Sequence, residues 1–332
     1  MPEHRYGQAE ITDAIAAWPG VDEPLLRHLH TATQVEGRNL ALPLADYAKL
    51  DTFTQANDAY REIALDLAER AVVEVLRTTG TAPAEIDQLV LCSSTGLATP
   101  SLDATLAQRT GLRADVRRLP IFGLGCAAGA SGLARLHDYL AGRPDDTALL
   151  VCVELCSLTV QRDDVSVANL VAGGLFGDGA AAVVATGRPG GAAPEVLATR
   201  SHLYPDTQHL MGWHVGEYGF RIVLSPDLTG FVAEHVPGDL RAFLAEHGLT
   251  PGDVGTWICH PGGPKIIDAL AESLDLPAEA LAVSRRSLRE HGNLSSVSVL
   301  HVLRETTGRP GEPAVLMALG PGFSSELLLL RW

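Results

Sequence analysis

The chain has 332 residues, 46% of them apolar and 20% charged, with a formal net charge of −15. That composition buries a sizeable core, and the acidic balance excludes a nucleic-acid binder, which needs a basic face to release counterions. No run of 18 apolar residues is present to span a membrane, and Met1-Pro2-Glu3-His4-Arg5 lacks a signal-peptide apolar segment, so a cytoplasmic protein is expected.

Residues 55–79 place Ile63, Ala64, Leu67, Ala68, Ala71, Val72, Val75 and Leu76 on one helical face, and Gly80 stops that helix. A strand at Leu89–Cys92 and a helix at Leu102–Arg109 follow. Next comes a glycine turn through Gly123 and Gly125 into a helix over Ala127–Leu140. Leu149–Val153 and Ala180–Ala185 are strands, and Gly173–Gly179 between them is expected to be a hairpin turn. The Gly, Ala and Pro-rich stretch Gly187–Pro194 is the expected seam between an N-terminal half, 1–188, and a C-terminal half, 189–332. The second half repeats the pattern with a strand at Trp257–Cys259, helices at Ile266–Leu274 and Ser295–Glu305, and a strand at Val315–Leu319. These strands are too continuously apolar to have a solvated face, which predicts an α/β protein with central mixed sheets covered by helices.

The halves are expected to be copies. Gly80-x-x-Pro83 parallels Gly248-x-x-Pro251, Gly125-Cys126-Ala127 parallels Gly292-Asn293-Leu294, and Gly142-Arg143-Pro144 parallels Gly308-Arg309-Pro310, at separations of 168, 167 and 166 residues. Cys126 and Asn293 then stand at equivalent helix starts. A pseudo-twofold packing would bring them together with His260, which ends the strand Trp257–Cys259.

A cysteine at a helix start meets free N–H groups that favour a thiolate nucleophile, although a lone cysteine also serves as a small buried apolar residue. His260, on the rigid turn Pro261-Gly262-Gly263-Pro264, is placed for acid–base work, or is a structural histidine; Asn293 is a donor to a reacting oxygen, or a helix N-cap. Gly123-x-Gly125-x-x-x-Gly129 approaches a dinucleotide fingerprint, but no acidic residue ends a following strand at the required spacing. Cys152 and Cys156 lack metal-ligand spacing, so no metal is expected, and the odd count of five cysteines reads as reduced thiols.

Gly-Leu-Gly-Cys126-Ala-Ala-Gly, Leu-Phe176-Gly-Asp-Gly-Ala-Ala, His260-Pro-Gly-Gly-Pro, Gly-Asn293-Leu-Ser-Ser and Gly320-Pro321-Gly322-Phe323 resemble, in order, the signature segments of type III polyketide synthases. This is the chalcone and stilbene synthase superfamily, and the resemblance runs from about Thr31 to Trp332. It implies the thiolase fold, a duplicated αβαβα sandwich of two pseudo-twofold-related halves, and a homodimer. His260-Pro-Gly-Gly and Gly-Asn-Leu-Ser-Ser separate it from the β-ketoacyl synthase III pattern. Family members commonly begin with a short strand before the segment aligned with His4-Arg5-Tyr6, which implies either a misassigned start or one absent edge strand.

The implied activity loads a starter acyl-CoA on Cys126, extends it with malonyl-CoA by decarboxylative condensation assisted by His260 and Asn293, and cyclises the product. CoA thioesters are substrates, and no cofactor is implied. Phe176 and Phe220 are implied at the junction of tunnel and cavity, with Thr159, Ser295, Gly320, Pro321 and Gly322 also lining the site. Arg38 is implied as a CoA phosphate contact, ahead of Lys49 and Lys265. Cys156 stands where chalcone synthases have threonine, and Thr99 where they have a methionine that crosses the dimer interface. The pattern is similar to bacterial enzymes making alkylpyrones or alkylresorcinols, so a long-chain starter is expected. The alternative is a malonyl-CoA-primed synthase of the tetrahydroxynaphthalene type. Two readings from other classes are a cysteine hydrolase and a noncatalytic protein of the same fold.

Overall fold

The computed structural model describes residues 1–188, 190 and 193–332. The expected seam at Gly187–Pro194 includes positions 189, 191 and 192, which lie outside the described residues. In chain order the first half comprises β1 (His4–Gly7), α1 (Gln8–Ala16), α2 (Glu23–Ala32), β2 (Gly37–Leu40), α3 (Phe53–Thr79), β3 (Ile86–Cys92), α4 (Leu102–Arg109), β4 (Arg117–Ile121), α5 (Ala128–Gly142), β5 (Thr147–Leu155), α6 (Val167–Leu175) and β6 (Asp178–Thr186). The second comprises β7 (Glu195–Leu203), β8 (Met211–Gly216), β9 (Gly219–Leu224), α7 (Leu228–Glu246), β10 (Thr256–Cys259), α8 (Pro264–Ser273), α9 (Ala282–His291), α10 (Ser296–Glu305), β11 (Pro313–Gly320) and β12 (Ser324–Arg331).

The long helix α3 begins at a capping box between Thr52 and Gln55 and ends at Gly80, whose φ of +69° suits a residue without a Cβ. Gly248, its counterpart after α7, has φ +71°. Beyond each lies a short 3-10 turn opened by proline, Pro83–Glu85 and Pro251–Asp253, and then the first strand of a sheet. The repeat read in the sequence is therefore a repeat of structure. β3, β5 and β6 correspond to β10, β11 and β12, with parallel pairing between the first two of each set and antiparallel pairing to the third.

Alternation along the strands shows how the layers stack. Leu89, Leu149, Val151 and Val153 pack toward α3 and α4, while Val90, Cys92, Leu150 and Cys152 face α5 and α10. In the second sheet Ile258, Leu316 and Leu328 face the same central helix pair, and Trp257, Val315, Met317 and Leu327 face α7 and α8. Both sheets are thus covered on both faces, in five layers of helix, sheet, helix, sheet and helix.

The two sheets differ at their edges. Their orders are β4-β3-β5-β6 and β10-β11-β12-β7. β7 pairs with the outer side of β12, whereas among the described residues no strand pairs with the corresponding side of β6. Gly173–Gly179 is not the expected hairpin turn. Gly173 and Gly174 close α6, and the chain passes through Phe176 and Gly177 into β6.

Candidate active site

Cys126 lies on a 3-10 turn, Gly125–Ala127, between β4 and α5. Gly125 has φ +45°, and a Cβ there would stand 2.8 Å from Cδ of Pro321. A Cβ at Gly320 would stand 2.6 Å from the Leu124 carbonyl oxygen. Small residues therefore let the Gly320-Pro321-Gly322 loop of the second half close onto the cysteine turn. The Gly125 N–H also donates to Ser94 Oγ at 3.1 Å.

Asn293 sits where the halves cross. Its N–H donates to the Leu175 carbonyl and its carbonyl accepts from the Gly177 N–H, both at 2.9 Å, so Phe176 and Asn293 run side by side. The side-chain Oδ1 lies 3.9 Å from Cys126 Sγ and accepts the Ser295 N–H at 2.8 Å. Nδ2 donates to the Gly262 carbonyl at 3.2 Å, which leaves its second hydrogen free of that bond. A Cβ at Gly262 would stand 3.7 Å from His260 Cδ2 and 3.9 Å from Nε2. The amide thus connects the turn bearing Cys126 to the loop bearing His260.

Burial dominates the electrostatics. It pushes the Cys126 thiol up to about 12, with Glu154 adding to the rise and hydrogen bonds involving Ser295 and Asn293 opposing it. It also pulls His260 down to about 3, and neither ring nitrogen has a hydrogen-bond partner among the described residues. On both groups burial therefore favours the uncharged form and works against the pull of the helix start toward a thiolate.

Glu154, wholly buried, had no place in the sequence reading. Its Oε2 accepts from Ser94 N–H at 2.9 Å and Thr95 Oγ1 at 3.0 Å, and its Oε1 from Ser295 Oγ at 3.3 Å and Ser296 Oγ at 2.7 Å. One carboxyl group so ties the end of β3 to the start of α10, across the two halves. Burial pushes it up to about 7. A polar residue at the end of an apolar strand run was the only signal in the sequence.

Cys156 and Thr159 occupy a buried 3-10 turn after β5, and Thr159 Oγ1 donates to the Cys156 carbonyl at 2.7 Å. Phe220 is buried, edge-on to Phe53 and Trp213 at 5.6 and 5.9 Å. Thr99 is exposed on the loop after β3. Arg38 corrects the expectation of a CoA contact: it is 1% exposed and its guanidinium donates to the Gly173 carbonyl inside the protein, out of reach of a solvent-borne phosphate. Lys49 is at the surface, 2.6 Å from Asp46. Two surface grooves, of about 670 and 450 Å³, run along α3 and touch none of Cys126, His260 and Asn293. Among the described residues no group of His, Cys, Asp and Glu is arranged to hold a metal, and no helix is long and apolar enough to cross a membrane.

Residues 27–189 match the family model for the N-terminal domain of chalcone and stilbene synthases, and residues 195–332 match that for the C-terminal domain. The chain belongs to the chalcone and stilbene synthase family. It is a type III polyketide synthase, an acyltransferase with the thiolase-like fold. It is 57% identical to the 1,3,6,8-tetrahydroxynaphthalene synthase of Streptomyces peucetius subsp. caesius, an alignment covering 100% of this chain and 91% of that protein. A putative chalcone synthase of Bacillus subtilis (strain 168) is 36% identical over 90% of this synthase and 86% of its own length. The crystal structure of 1,3,6,8-tetrahydroxynaphthalene synthase from Streptomyces coelicolor A3(2) superposes with a TM-score of 0.95 at 32% identity, covering 100% of this synthase and 96% of that chain.

Proposed function

We propose that this synthase is primed by malonyl-CoA itself and makes a polyhydroxylated naphthalene of the 1,3,6,8-tetrahydroxynaphthalene type. The observation that carries this reading is the 57% identity, over the whole chain, to a protein of that name. It favours the alternative over the long-chain starter expected from the sequence pattern.

In this reading His260 takes the Cys126 proton as the sulfur attacks a malonyl thioester, and returns it to the departing CoA thiolate. Loss of carbon dioxide from malonyl leaves an enolate, whose oxygen receives N–H donation from His260 and from the Asn293 hydrogen not committed to Gly262. A well-placed donor is worth ~3 to 4 kcal/mol. The enolate carbon attacks the acyl-Cys126 carbonyl, the sulfur leaves, and the chain grows by a ketide. Burial disfavours charge on both Cys126 and His260, so charge that develops during the reaction must be met by donors of the site itself. Phe176 and Phe220 wall the site, Cys156, Thr159 and Ser295 shape it, and the two halves, 1–188 and 189–332, act as one catalytic unit.

A homodimer accompanies this reading. β4 is an exposed edge strand leading straight into the Cys126 turn, and Leu97, Leu119 and Phe122, large apolar side chains on or near it, are exposed. A second copy would cover them and bring Thr99 toward the partner's cavity.

Turnover of malonyl-CoA alone, compared with malonyl-CoA plus acetyl-, hexanoyl-, decanoyl- or palmitoyl-CoA and read by product mass, tests the assignment. The expected result is a naphthalene polyol from malonyl-CoA alone. A product formed only when an acyl starter is present would overturn it.

A further inference from the structure

Arg38 is among the largest side chains enclosed completely by the protein. Its guanidinium donates to the Gly173 carbonyl in the last turn of α6, where helix carbonyls lack partners of their own. Its stem fills the space beside two glycines. A Cβ at Gly177 would stand 3.2 Å from Arg38 Cβ, and one at Gly292 would stand 3.4 Å from Arg38 Cδ. Gly177 follows Phe176 and Gly292 precedes Asn293, so the Arg38 stem backs both segments of the crossing that pins the Asn293 backbone. The opposing charge is Asp178, also wholly buried, which accepts from the Ala41 N–H at 2.6 Å, the Ser157 N–H at 2.8 Å and the Ser157 hydroxyl. Burial lowers Arg38 to about 10, which leaves it charged at neutral pH.

We propose that Arg38 is a positioning residue: by capping α6 and backing Gly177 and Gly292 it sets the Phe176 ring and the Asn293 amide relative to Cys126. This deepens the proposed mechanism and rests on the role given there to Asn293. The competing role, a contact with CoA phosphate, predicts different kinetics. Losing a CoA contact raises KM for malonyl-CoA and leaves kcat alone, whereas misplacing Asn293 lowers kcat and leaves KM nearly alone.

Steady-state carbon dioxide release from malonyl-CoA by Arg38→Met and Arg38→Lys decides between them. Arg38→Met should lose on the order of 10²-fold in kcat, the scale of a small misplacement at a reacting centre. Its KM should stay within about threefold, and Arg38→Lys, which keeps a cation at the end of α6, should recover most of kcat. A raised KM with unchanged kcat, or no change in either, overturns the proposal. So does a lysine variant as impaired as the methionine one. Should Arg38→Met not fold, the double variant Arg38→Met, Asp178→Asn removes both buried charges and is read in the same way. Asn293→Ala is measured alongside: if it decarboxylates normally, the fault lies in the mechanism assigned to Asn293, whatever Arg38 does.

Discussion

A Cβ added to Gly129 on α5 would stand 2.2 Å from the carbonyl oxygen of Ser296 on α10. The bare backbone of α5 there meets both the Ser296 carbonyl and the Val299 side chain, whose Cγ1 would stand 2.7 Å from the same Cβ, and this allows the Cys126 and Asn293 helix starts to approach. Gly129→Ala must push the helices apart and should cost on the order of 1–3 kcal/mol, beyond any gain in helix propensity. Gly132→Ala is the control, because its Cβ would meet the side-chain ends of Leu150 and Cys92, which can shift. Urea denaturation of both variants should rank Gly129→Ala as clearly the less stable.

Cys126→Ala should abolish covalent loading. All five thiols are buried, but it is the Cys126 sulfur that lies against the Asn293 amide of the other half, 3.9 Å from its Oδ1. Intact-mass spectrometry after incubation with malonyl-CoA should show an adduct on the parent enzyme and none on the variant.

Asn293→Ala should slow decarboxylation by on the order of 10², with a smaller effect on loading, since the amide is needed when the enolate oxygen forms. Single-turnover measurements of the two steps check this, and equal losses would remove the assigned role.

Glu154 gives a pH signature. Burial raises it from 4.5 to about 7, so the folded protein holds this proton more tightly than the unfolded chain does. Its contribution to stability is present in full below pH 4.5 and is lost as pH rises to about 7. Glu154→Gln cannot ionise, so its stability relative to the parent should improve by up to about 3 kcal/mol across that window. His260, His30 and His301, lowered to about 3, 4 and 4, act in the opposite sense but are common to both proteins and cancel in the difference. Urea melts at about pH 5 and about pH 8 provide the comparison.

The sequence disclosed what apolar continuity and repetition can disclose. β3, β5, β10 and β11 are apolar on both faces, and α3 carries its stripe and its glycine stop. The paired Gly-Cys and Gly-Asn starts predicted a contact that exists at 3.9 Å. β4 escaped notice because an exposed edge strand, Arg117-Arg118-Leu119-Pro120-Ile121, has no apolar face to announce it. The end of α6 was taken for a turn because Gly173 and Gly174 are poor helix formers locally; the His30 ring packed against Gly174 explains why no larger residue is there. Glu154 and Arg38 were illegible for a shared reason. Their burial is created by partners 59 to 142 residues away, which local pattern does not register.

The open side of β6 has a consequence for solubility. A bare strand edge offers a row of unpaired N–H and C=O groups on which another chain could propagate the sheet. In this synthase Ala180, Ala181, Ala182 and Val183 of β6 share a groove with Arg70 and Arg304, neither of which is ion-paired among the described residues, and with Glu74, whose carboxylate is held by Arg77. Two molecules approaching edge to edge would bring these arginines against their own counterparts, and like charge then opposes polymerisation. That protection is electrostatic and is weakened by salt, so concentrated solutions of the enzyme should keep better at low ionic strength than at high.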